Sequence, residues 1–313
     1  MNKRLIPKRL VEISLFNIAA MNPAALIEDG EQAYRRRLEL AAKSILESGA
    51  KIIMLTGPSS SGKTTTSIEL AETLERHGTP AQVVSLDNFF IGAENYPILP
   101  NGNRDYESPA TLDMPEINRC LAELNQTGKA DIPIYDFAHE RRADHRQHID
   151  LQGGVCIMEG IHALNPLLTE LLPDDGVFYI YAGLREEYAQ DGVRTINTRE
   201  IRLCRRVLRD MMTRGHSPEK TLSMWNDVLE GENQYVRIYK PRADLILDTS
   251  FTYELGVMAG LLDKALHTLD ASCPQYAMMQ ETARDFAGVR KIPVECVPAD
   301  SMLREFYGAF HNA

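Results

Sequence analysis

Short apolar runs alternate with longer amphipathic stretches through the middle of the chain. Each run is four to six residues long and is followed by turn-forming or polar residues, which is typical of buried strands. The predicted strands are Lys51–Thr56, Ala81–Leu86, Val155–Met158, Val177–Tyr181 and Ala243–Leu247. Lys63–His77 has the spacing of a helix, and helical segments adjoin the other runs. Such alternation predicts an α/β protein whose mostly parallel sheet is covered by helices on both faces.

The regions on either side of this alternation are predicted to be helical. Residues 30–49 place apolar side chains toward one side, and helical spacing resumes beyond Thr249. We therefore predict an N-terminal helical flank (residues 1–49), a core (50–250) and a C-terminal helical extension (251–313), with both flanks packed on the core. Between them, residues 95–105 contain two prolines and three asparagines and are predicted to be a loop, either a solvated connector or a carrier of substrate contacts.

Composition narrows the class of protein. Of the 313 residues, 44% are apolar and 25% are charged, which argues against disorder, collagen-like repeats and disulfide scaffolds. The five cysteines form no C-x-x-C pair, so we expect free thiols and a cytoplasmic location. No apolar run is long enough for a membrane helix. With a net charge of -10, neither nucleic acid nor a membrane is an expected partner.

A phosphate-binding motif follows the first strand. Residues 57–64 fit G-x-x-x-x-G-K-[ST] and lie between a predicted strand and a predicted helix, the context that such a motif requires. Backbone N–H groups of the loop and helix would bind phosphates, Lys63 would approach the β- and γ-phosphates, and the Thr64 hydroxyl would bind Mg²⁺. The predicted ATP-binding residues are Gly57, Pro58, Ser59, Ser60, Ser61, Gly62, Lys63, Thr64 and Thr65.

Two carboxylates follow neighbouring strands. Asp87 comes after the second strand and Glu159 after the third, so both are expected at the carboxyl edge of the sheet, where ligands of such folds bind. One carboxylate can complete a Mg²⁺ site and the other can accept the proton of an acceptor hydroxyl. The alternative is that either acid only caps a helix.

Arginines are concentrated in one predicted helix. Six lie within sixteen residues: Arg199, Arg202, Arg205, Arg206, Arg209 and Arg214. Helical spacing places Arg202, Arg206 and Arg209 on one face, where their repulsion is expected to destabilise the helix unless an anion binds. We predict a lid at about residues 194–216 that closes over the transferring phosphoryl group. A solvated surface face is the alternative.

Five motifs in order resemble the uridine kinase and phosphoribulokinase family over about residues 50–250. They are Gly57–Thr65, Ser85–Phe90 (SLDNFF), Ile132–Phe137 (IPIYDF), Met158–Ile161 (MEGI) and Arg205–Gly215 (RRVLRDMMTRG). Glu159–Asn165, Trp225, Gly231-Glu232 and Ser301–Gly308 are more narrowly similar to bacterial uridine kinase-like nucleoside kinases. The resemblance implies a P-loop NTPase fold, with a doubly wound sheet, an arginine-rich lid and helical flanks.

The same resemblance implies transfer of the γ-phosphoryl group of Mg-ATP to the 5′-hydroxyl of uridine or cytidine, with Mg²⁺ as cofactor. Asp87 matches the family's base, and Lys63, Arg209 and Arg214 its phosphate-binding cations. Thr64, Glu159 and Asp87 match its Mg²⁺ environment. Tyr135 and Arg206 match nucleoside-contacting residues. A homo-oligomer is expected on the same ground.

Substrate-contacting positions depart from the family pattern. Glu107 stands where pyrimidine kinases have a sugar-binding Asp, Glu140 where they have a base-contacting His, and Met224 where they have a Gln. The neighbouring His139 and Arg142 are the candidates for nucleoside contact in this region. The departures leave two alternatives open: a kinase of another alcohol, such as a sugar phosphate or vitamin precursor, and an ATP-binding regulatory protein without nucleoside phosphorylation.

The histidines and aromatic residues allow simpler interpretations. His139, His145 and His148 lack a further ligand at familiar spacing, so a polar hairpin over the nucleoside pocket is favoured over a transition-metal site. His162 is expected to be a supporting or loop residue rather than a catalyst. The residues Tyr106, Phe89, Phe90 and Phe137 can either stack on a base or pack near the sheet edge.

Overall fold

The computed structural model describes residues 6–173, 176–213 and 215–308. The strands are β1 (Arg9–Glu12), β2 (Ile52–Thr56), β3 (Ala81–Ser85), β4 (Lys129–Asp136), β5 (Arg141–Asp150), β6 (Val155–Glu159), β7 (Val177–Gly183), β8 (Glu186–Gln190), β9 (Val193–Ile196) and β10 (Leu245–Asp248). The α-helices are α1 (Ile13–Ala19), α2 (Pro23–Ser48), α3 (Lys63–Arg76), α4 (Met114–Thr127), α5 (Thr198–Thr213), α6 (Pro218–Gly231), α7 (Glu254–Thr268), α8 (Tyr276–Asp285) and α9 (Arg304–Tyr307).

The central sheet has five parallel strands in the order β10-β7-β2-β6-β3. Every residue of β2 and β6 is buried, as expected for strands with helices on both faces. The predicted core strands all occur, with ends shifted by at most two residues. The predicted α/β class with a doubly wound parallel sheet is therefore confirmed.

Two hydrophobic clusters cover the two faces of this sheet. One contains apolar residues of α2, α3, α5 and α7 together with β2 and β10. The other packs α4 against the opposite face through residues such as Ile117, Leu121 and Leu124. Both flanks share the first cluster, since Phe16 of α1 and Phe306 of α9 are buried in it. The flanks therefore pack on the core.

The N-terminal flank differs from its prediction in two ways. The helix predicted at residues 30–49 starts earlier, at Pro23, because the Asn22 side chain accepts a hydrogen bond from the Ala25 N–H and proline is well tolerated in a first helical turn. It ends where Gly49 adopts φ 71°. The flank is also not entirely helical, because β1 pairs in parallel with β8.

A three-stranded sheet, β1-β8-β9, precedes the arginine helix α5. The sequence pattern does not predict it, because its strands are short and include charged residues such as Glu186 and Glu187. Both carboxylates are nevertheless buried and bind arginine or lysine side chains. This sheet connects the central strand β7 to α5.

The predicted polar hairpin is present as the antiparallel pair of β4 and β5. His148 binds Asp131 at 2.8 Å, and His139 binds Asp136 at 2.7 Å in the turn. Within the described ranges, no group of three or more His, Cys, Asp or Glu side chains is arranged to hold a metal ion. Nor does any helix in those ranges have the length and hydrophobicity needed to cross a bilayer.

Candidate active site

The phosphate loop, Gly57–Thr64, joins β2 to α3 and has two residues in the left-handed region. Ser60 has φ 59°, and Gly62 has φ 84°. A Cβ at Gly57 would lie 2.1 Å from the carbonyl oxygen of Ala182, so only glycine fits between β2 and β7 there. The loop is therefore held against the end of the neighbouring strand.

The interior of the loop has polar groups that suit phosphate. The hydroxyl oxygens of Ser60 and Ser61 are buried and have no hydrogen-bond partner among the described residues. Lys63 Nζ donates to the carbonyl oxygen of Pro58 at 3.3 Å, so its charge lies across the loop. Buried hydroxyls, a lysine and the first N–H groups of α3 together fit the phosphates of a nucleotide.

Asp87 and Glu159 meet beside this loop. Strands β3 and β6 pair with Ser85 opposite Glu159, so the residues that follow β3 lie next to the end of β6. Asp87 is in a 3₁₀ turn, Leu86–Phe89, where its N–H donates to Ser85 Oγ at 3.3 Å. Thr64 Oγ1 lies 3.5 Å from Glu159 Oε1, which links the carboxylates to the phosphate loop.

The ionised form of Glu159 is unfavourable in this arrangement. Burial, and then the nearby charge of Asp87, raises the pKa of Glu159 to about 7, while Lys63 opposes the increase. A divalent cation would relieve the repulsion of the two carboxylates. Oxygen ligands from Thr64, Glu159 and Asp87 are the kind that Mg²⁺ prefers, so these residues fit the metal that ATP brings.

The arginines of α5 do not behave as an unpaired positive face. Arg202 binds Glu232 at 2.8 Å, and Arg205, which is fully buried, binds Glu254 at 2.6 Å. Arg209 binds Asp210 at 3.0 Å. The repulsion predicted for the face of Arg202, Arg206 and Arg209 is therefore offset, because Glu232 pairs with Arg202 and Asp210 pairs with both Arg206 and Arg209.

Three arginines of α5 contact the phosphate loop directly. Arg202 donates to the carbonyl oxygen of Ser59 at 3.0 Å, and Arg206 donates to Ser59 Oγ at 2.7 Å. Arg205 lies 3.5 Å from the carbonyl oxygen of Ser60. The helix thus lies on the phosphate loop. The assignment of Arg209 to phosphate binding stays a prediction, and Arg214 lies outside the described residues.

Glu107 lies near Arg206 and Lys63. A Cβ at Gly231 would be 2.3 Å from the Cβ of Glu107, so the chain is tightly packed where α6 ends. Burial raises the pKa of Glu107 to about 7, and the charges of Arg206 and Lys63 oppose the increase. Glu107 is therefore near Lys63 of the phosphate loop, and its contact with a substrate stays a prediction.

Aromatic side chains form a wall beside Asp87. Phe90 and Tyr135 lie 5.6 Å apart between ring centroids, and Phe90 and Tyr96 lie 6.0 Å apart. Burial is the main cause that raises the pKa of Tyr96, and the charge of Asp87 adds to it, so the wall and the carboxylate are neighbours. Tyr106 and Phe137 extend the wall and are 42% and 62% exposed, whereas Phe89 is fully buried.

Strand β4 and the hairpin position the remaining candidates. The N–H of Tyr135 donates to Asn88 Oδ1 at 3.3 Å, which ties β4 to the turn that carries Asp87. Arg142 donates to the carbonyl oxygens of Phe89 and Phe90 and binds Asp113 at 3.0 Å. In this structure Arg142 therefore braces the aromatic wall, and His139 is exposed in the hairpin turn. Their roles in nucleoside contact stay predictions.

Two further residues lie beside the site: Glu305, which was not predicted there, and His162, which was expected as a supporting or loop residue. Glu305 of α9 accepts hydrogen bonds from Thr65 Oγ1 at 2.7 Å and from the Thr65 N–H at 3.4 Å. His162 is 2% exposed beside Tyr235 and the backbone of Glu107, and burial lowers its pKa to about 4. Glu305 belongs to the motif Ser301–Gly308, which is visible in the sequence. That motif does not indicate which element the C-terminal residues contact.

Comparison with known proteins places this chain in a family. The model of the phosphoribulokinase / uridine kinase family matches residues 52–255. A uridine kinase of Limosilactobacillus reuteri is 26% identical over 197 residues, which are 63% of this chain and 82% of that protein. A uridine kinase of Saccharomyces cerevisiae is 25% identical over 200 residues, 63% of this chain but only 36% of that protein.

A solved structure supports the fold. The crystal structure of a candidate fructose transport system kinase from Silicibacter sp. TM1040 aligns with a TM-score of 0.50 and 20% identity, covering 67% of this chain and 98% of that one. The predicted P-loop fold and the predicted family are both confirmed by these comparisons.

Proposed function

Since this chain belongs to the phosphoribulokinase and uridine kinase family, it is a P-loop kinase, and we propose that it phosphorylates a pyrimidine ribonucleoside. The reaction is transfer of the γ-phosphoryl group of Mg-ATP to the 5′-hydroxyl of uridine or cytidine. The observation that carries this proposal is the position of Asp87, which lies between the phosphate loop with Glu159 and an aromatic wall.

Asp87 is the proposed base. Phosphoryl transfer passes through a loose transition state in which the acceptor proton leaves late, so an ordinary carboxylate is basic enough. Lys63 and Arg206, both at the phosphate loop, would stabilise charge on the transferring group, and the packing of α5 on the loop would limit access of water. Mg²⁺, when bound, would neutralise phosphate charge beside Thr64 and Glu159.

The aromatic wall is the proposed site for the base of the nucleoside. Phe90, Tyr96 and Tyr135 offer apolar ring surface together with hydroxyl groups, which suits a flat heterocycle with polar edges. Glu107, near Arg206 and Lys63, would contact the ribose. These positions support a nucleoside as acceptor because they combine a stacking surface with a carboxylate.

The substitution Asp87→Asn tests this mechanism. It keeps the size of the side chain and removes the base, so uridine-dependent ADP formation is expected to fall at least about 100-fold, a usual contribution of general base catalysis. ATP affinity, measured by calorimetry, should change less than threefold. Asp29→Asn on the exposed side of α2 is a matched control and should keep full activity. Near-full turnover by Asp87→Asn would remove Asp87 from the mechanism.

One observation favours a second candidate, a kinase of another alcohol. Glu107 is one methylene longer than the Asp it replaces in the family pattern, and at neutral pH its raised pKa leaves it partly protonated. A sugar or another polyol would use the same hydrogen-bonding groups. Homo-oligomerisation, cytoplasmic location and the division into a core with two flanks stay predictions.

A further inference from the structure

A cleft of about 360 Å³ opens at the carboxyl edge of the sheet, on the β7 side of the phosphate loop. Pro58 of the loop, Tyr181 of β7, Arg199 of α5 and Lys240 contribute to its walls. Asp87 and Glu159 lie on the opposite side of β2, where β6 and β3 end. The cleft is therefore adjacent to the proposed reaction site but distinct from it.

Basic residues outnumber acids in this cleft by seven to two among the described residues that line it. Glu187 binds Lys8 and Arg194, and Glu232 binds Arg202. Four cations remain for which the described residues supply no carboxylate within ion-pair distance: Arg185, Arg199, Arg237 and Lys240.

The partners of these four cations are neutral. Arg199 and Arg237 both donate to the same oxygen, Asn233 Oδ1, each at 3.1 Å. Arg185 donates to the carbonyl oxygen of Ile6, and its Nε is buried without a partner in the described structure. Lys240 lies 4.8 Å from the centroid of the Tyr181 ring. Two guanidinium groups sharing one amide oxygen retain most of their donor capacity for a ligand.

Carboxylates compensate only part of the positive charge of this cleft. Burial, followed by the charges of Arg185 and Arg237, lowers the pKa of Lys240 to about 8. In a chain whose net charge is -10, such a concentration of positive charge stands out from the rest of the molecule. An anion in the cleft would relieve the repulsion and fill the open donor positions.

We propose that this cleft binds a phosphate ester or pyrophosphate group of a small molecule, at a site separate from the phosphate loop. Forked guanidinium donors and a lysine suit phosphate oxygens, and the volume of the cleft is that of a small-ligand site. The phosphate has two possible sources. It belongs either to a free effector or to a phosphorylated acceptor whose hydroxyl reaches toward Asp87.

Calorimetric titration of the full chain with pyrophosphate tests the site, with Mg²⁺ and a saturating non-hydrolysable ATP analogue present to fill the phosphate loop. Binding is expected to persist in the analogue-bound protein. Arg237→Gln and Lys240→Gln are each expected to weaken it about tenfold, the effect of losing one charge-assisted contact. Lys43→Gln, on an exposed part of α2, makes the same charge change elsewhere and should leave it unchanged. No binding to the analogue-bound protein, or equal affinity in all variants, would overturn the proposal.

Rate measurements then distinguish the two sources. If the cleft binds a free effector, pyrophosphate is expected to change the rate of uridine-dependent ADP formation in the wild type, and Lys240→Gln should remove this response. If the cleft binds a phosphorylated acceptor, ribose 5-phosphate is expected to support ADP formation. Lys240→Gln should then raise the KM for ribose 5-phosphate about tenfold, whereas Lys43→Gln should not. The titration needs no turnover, so failure of the proposed nucleoside kinase activity would leave the result on the cleft unaffected.

Discussion

Glu159 is both the last residue of a central strand and a part of the proposed Mg²⁺ site. It ends β6 opposite Ser85 of β3, and this pairing brings it next to Asp87. Burial and the charge of Asp87 make its ionisation costly. That cost is what a bound cation would remove, so the same residue connects metal binding to stability.

Replacing Glu159 therefore has a pH-dependent effect on stability. The ordinary pKa of 4.5 applies to the unfolded chain, and the pKa of about 7 to the folded protein. As pH rises between these values, the unfolded chain ionises first, so the contribution of Glu159 to the free energy of unfolding decreases. Glu159→Gln lacks this decrease. Its stability relative to wild type should rise between pH 5 and pH 8, by at most roughly 3 kcal/mol.

Urea denaturation of both proteins across this pH range measures the difference. Glu75→Gln, at an exposed position of α3, is the control and should parallel the wild type at every pH. Mg²⁺ at pH 8 is expected to stabilise the wild type more than Glu159→Gln. A constant difference between wild type and Glu159→Gln from pH 5 to pH 8 would contradict the raised pKa.

At the residue level, the sequence predicts the features that depend only on residues close together in the chain. The phosphate loop follows from eight consecutive residues and their strand-to-helix context. The partners of the arginines could not be predicted in this way, because Glu254 lies 49 positions from Arg205. Only tertiary packing brings the two together, and it makes Arg205 part of a buried ion pair.

At the level of elements, α9 has an unexpected position on the phosphate loop. Glu305 binds the hydroxyl and the N–H of Thr65 in the first turn of α3, and Met302 approaches so closely that a Cβ at Gly62 would lie 2.6 Å from its Sδ. The N-terminus of a helix is favourable for anions, so a carboxylate there competes with nucleotide phosphates for the same positive end.

Glu305→Gln is therefore expected to strengthen ATP binding about three- to tenfold, since a charge near a helix N-terminus is worth about 0.3–1 kcal/mol and a triphosphate adds further repulsion. The dissociation constant of an ATP analogue, measured by calorimetry, reports this directly. Glu295→Gln, in an exposed turn of the same C-terminal region, is the matched control. Unchanged or weaker ATP binding by Glu305→Gln would show that its carboxylate does not compete with the nucleotide.

Elements with clear periodicity were predictable, and those defined by long-range pairing were not. The buried strands β2 and β6 consist of continuous apolar residues and are found where the pattern places them. The sheet β1-β8-β9 joins residues about 180 positions apart, and local pattern carries no information about such pairing. The position of α9 on α3 could not be predicted for the same reason.

At the scale of the whole molecule, the local charge around the phosphate loop differs in sign from the net charge of the chain. The chain carries a net charge of -10, yet positive charge is concentrated at the phosphate loop and in the neighbouring cleft. Asp87 and Glu159 bring negative charge to the other side of β2, where β3 and β6 end. This separation would direct phosphate groups to one side and leave the other for an acceptor hydroxyl.

The acceptor itself is the central claim, and a comparison of acceptors tests it most directly. Purified full-length protein with Mg-ATP is assayed for ADP formation with uridine, cytidine, adenosine, guanosine and non-nucleoside alcohols, including D-glycerate and ribose 5-phosphate, and products are identified by mass spectrometry. We expect kcat/KM to be highest for uridine or cytidine, with the nucleoside 5′-monophosphate as product. A higher kcat/KM for a non-nucleoside alcohol, or ATP binding without turnover of any of these acceptors, would contradict the proposed function.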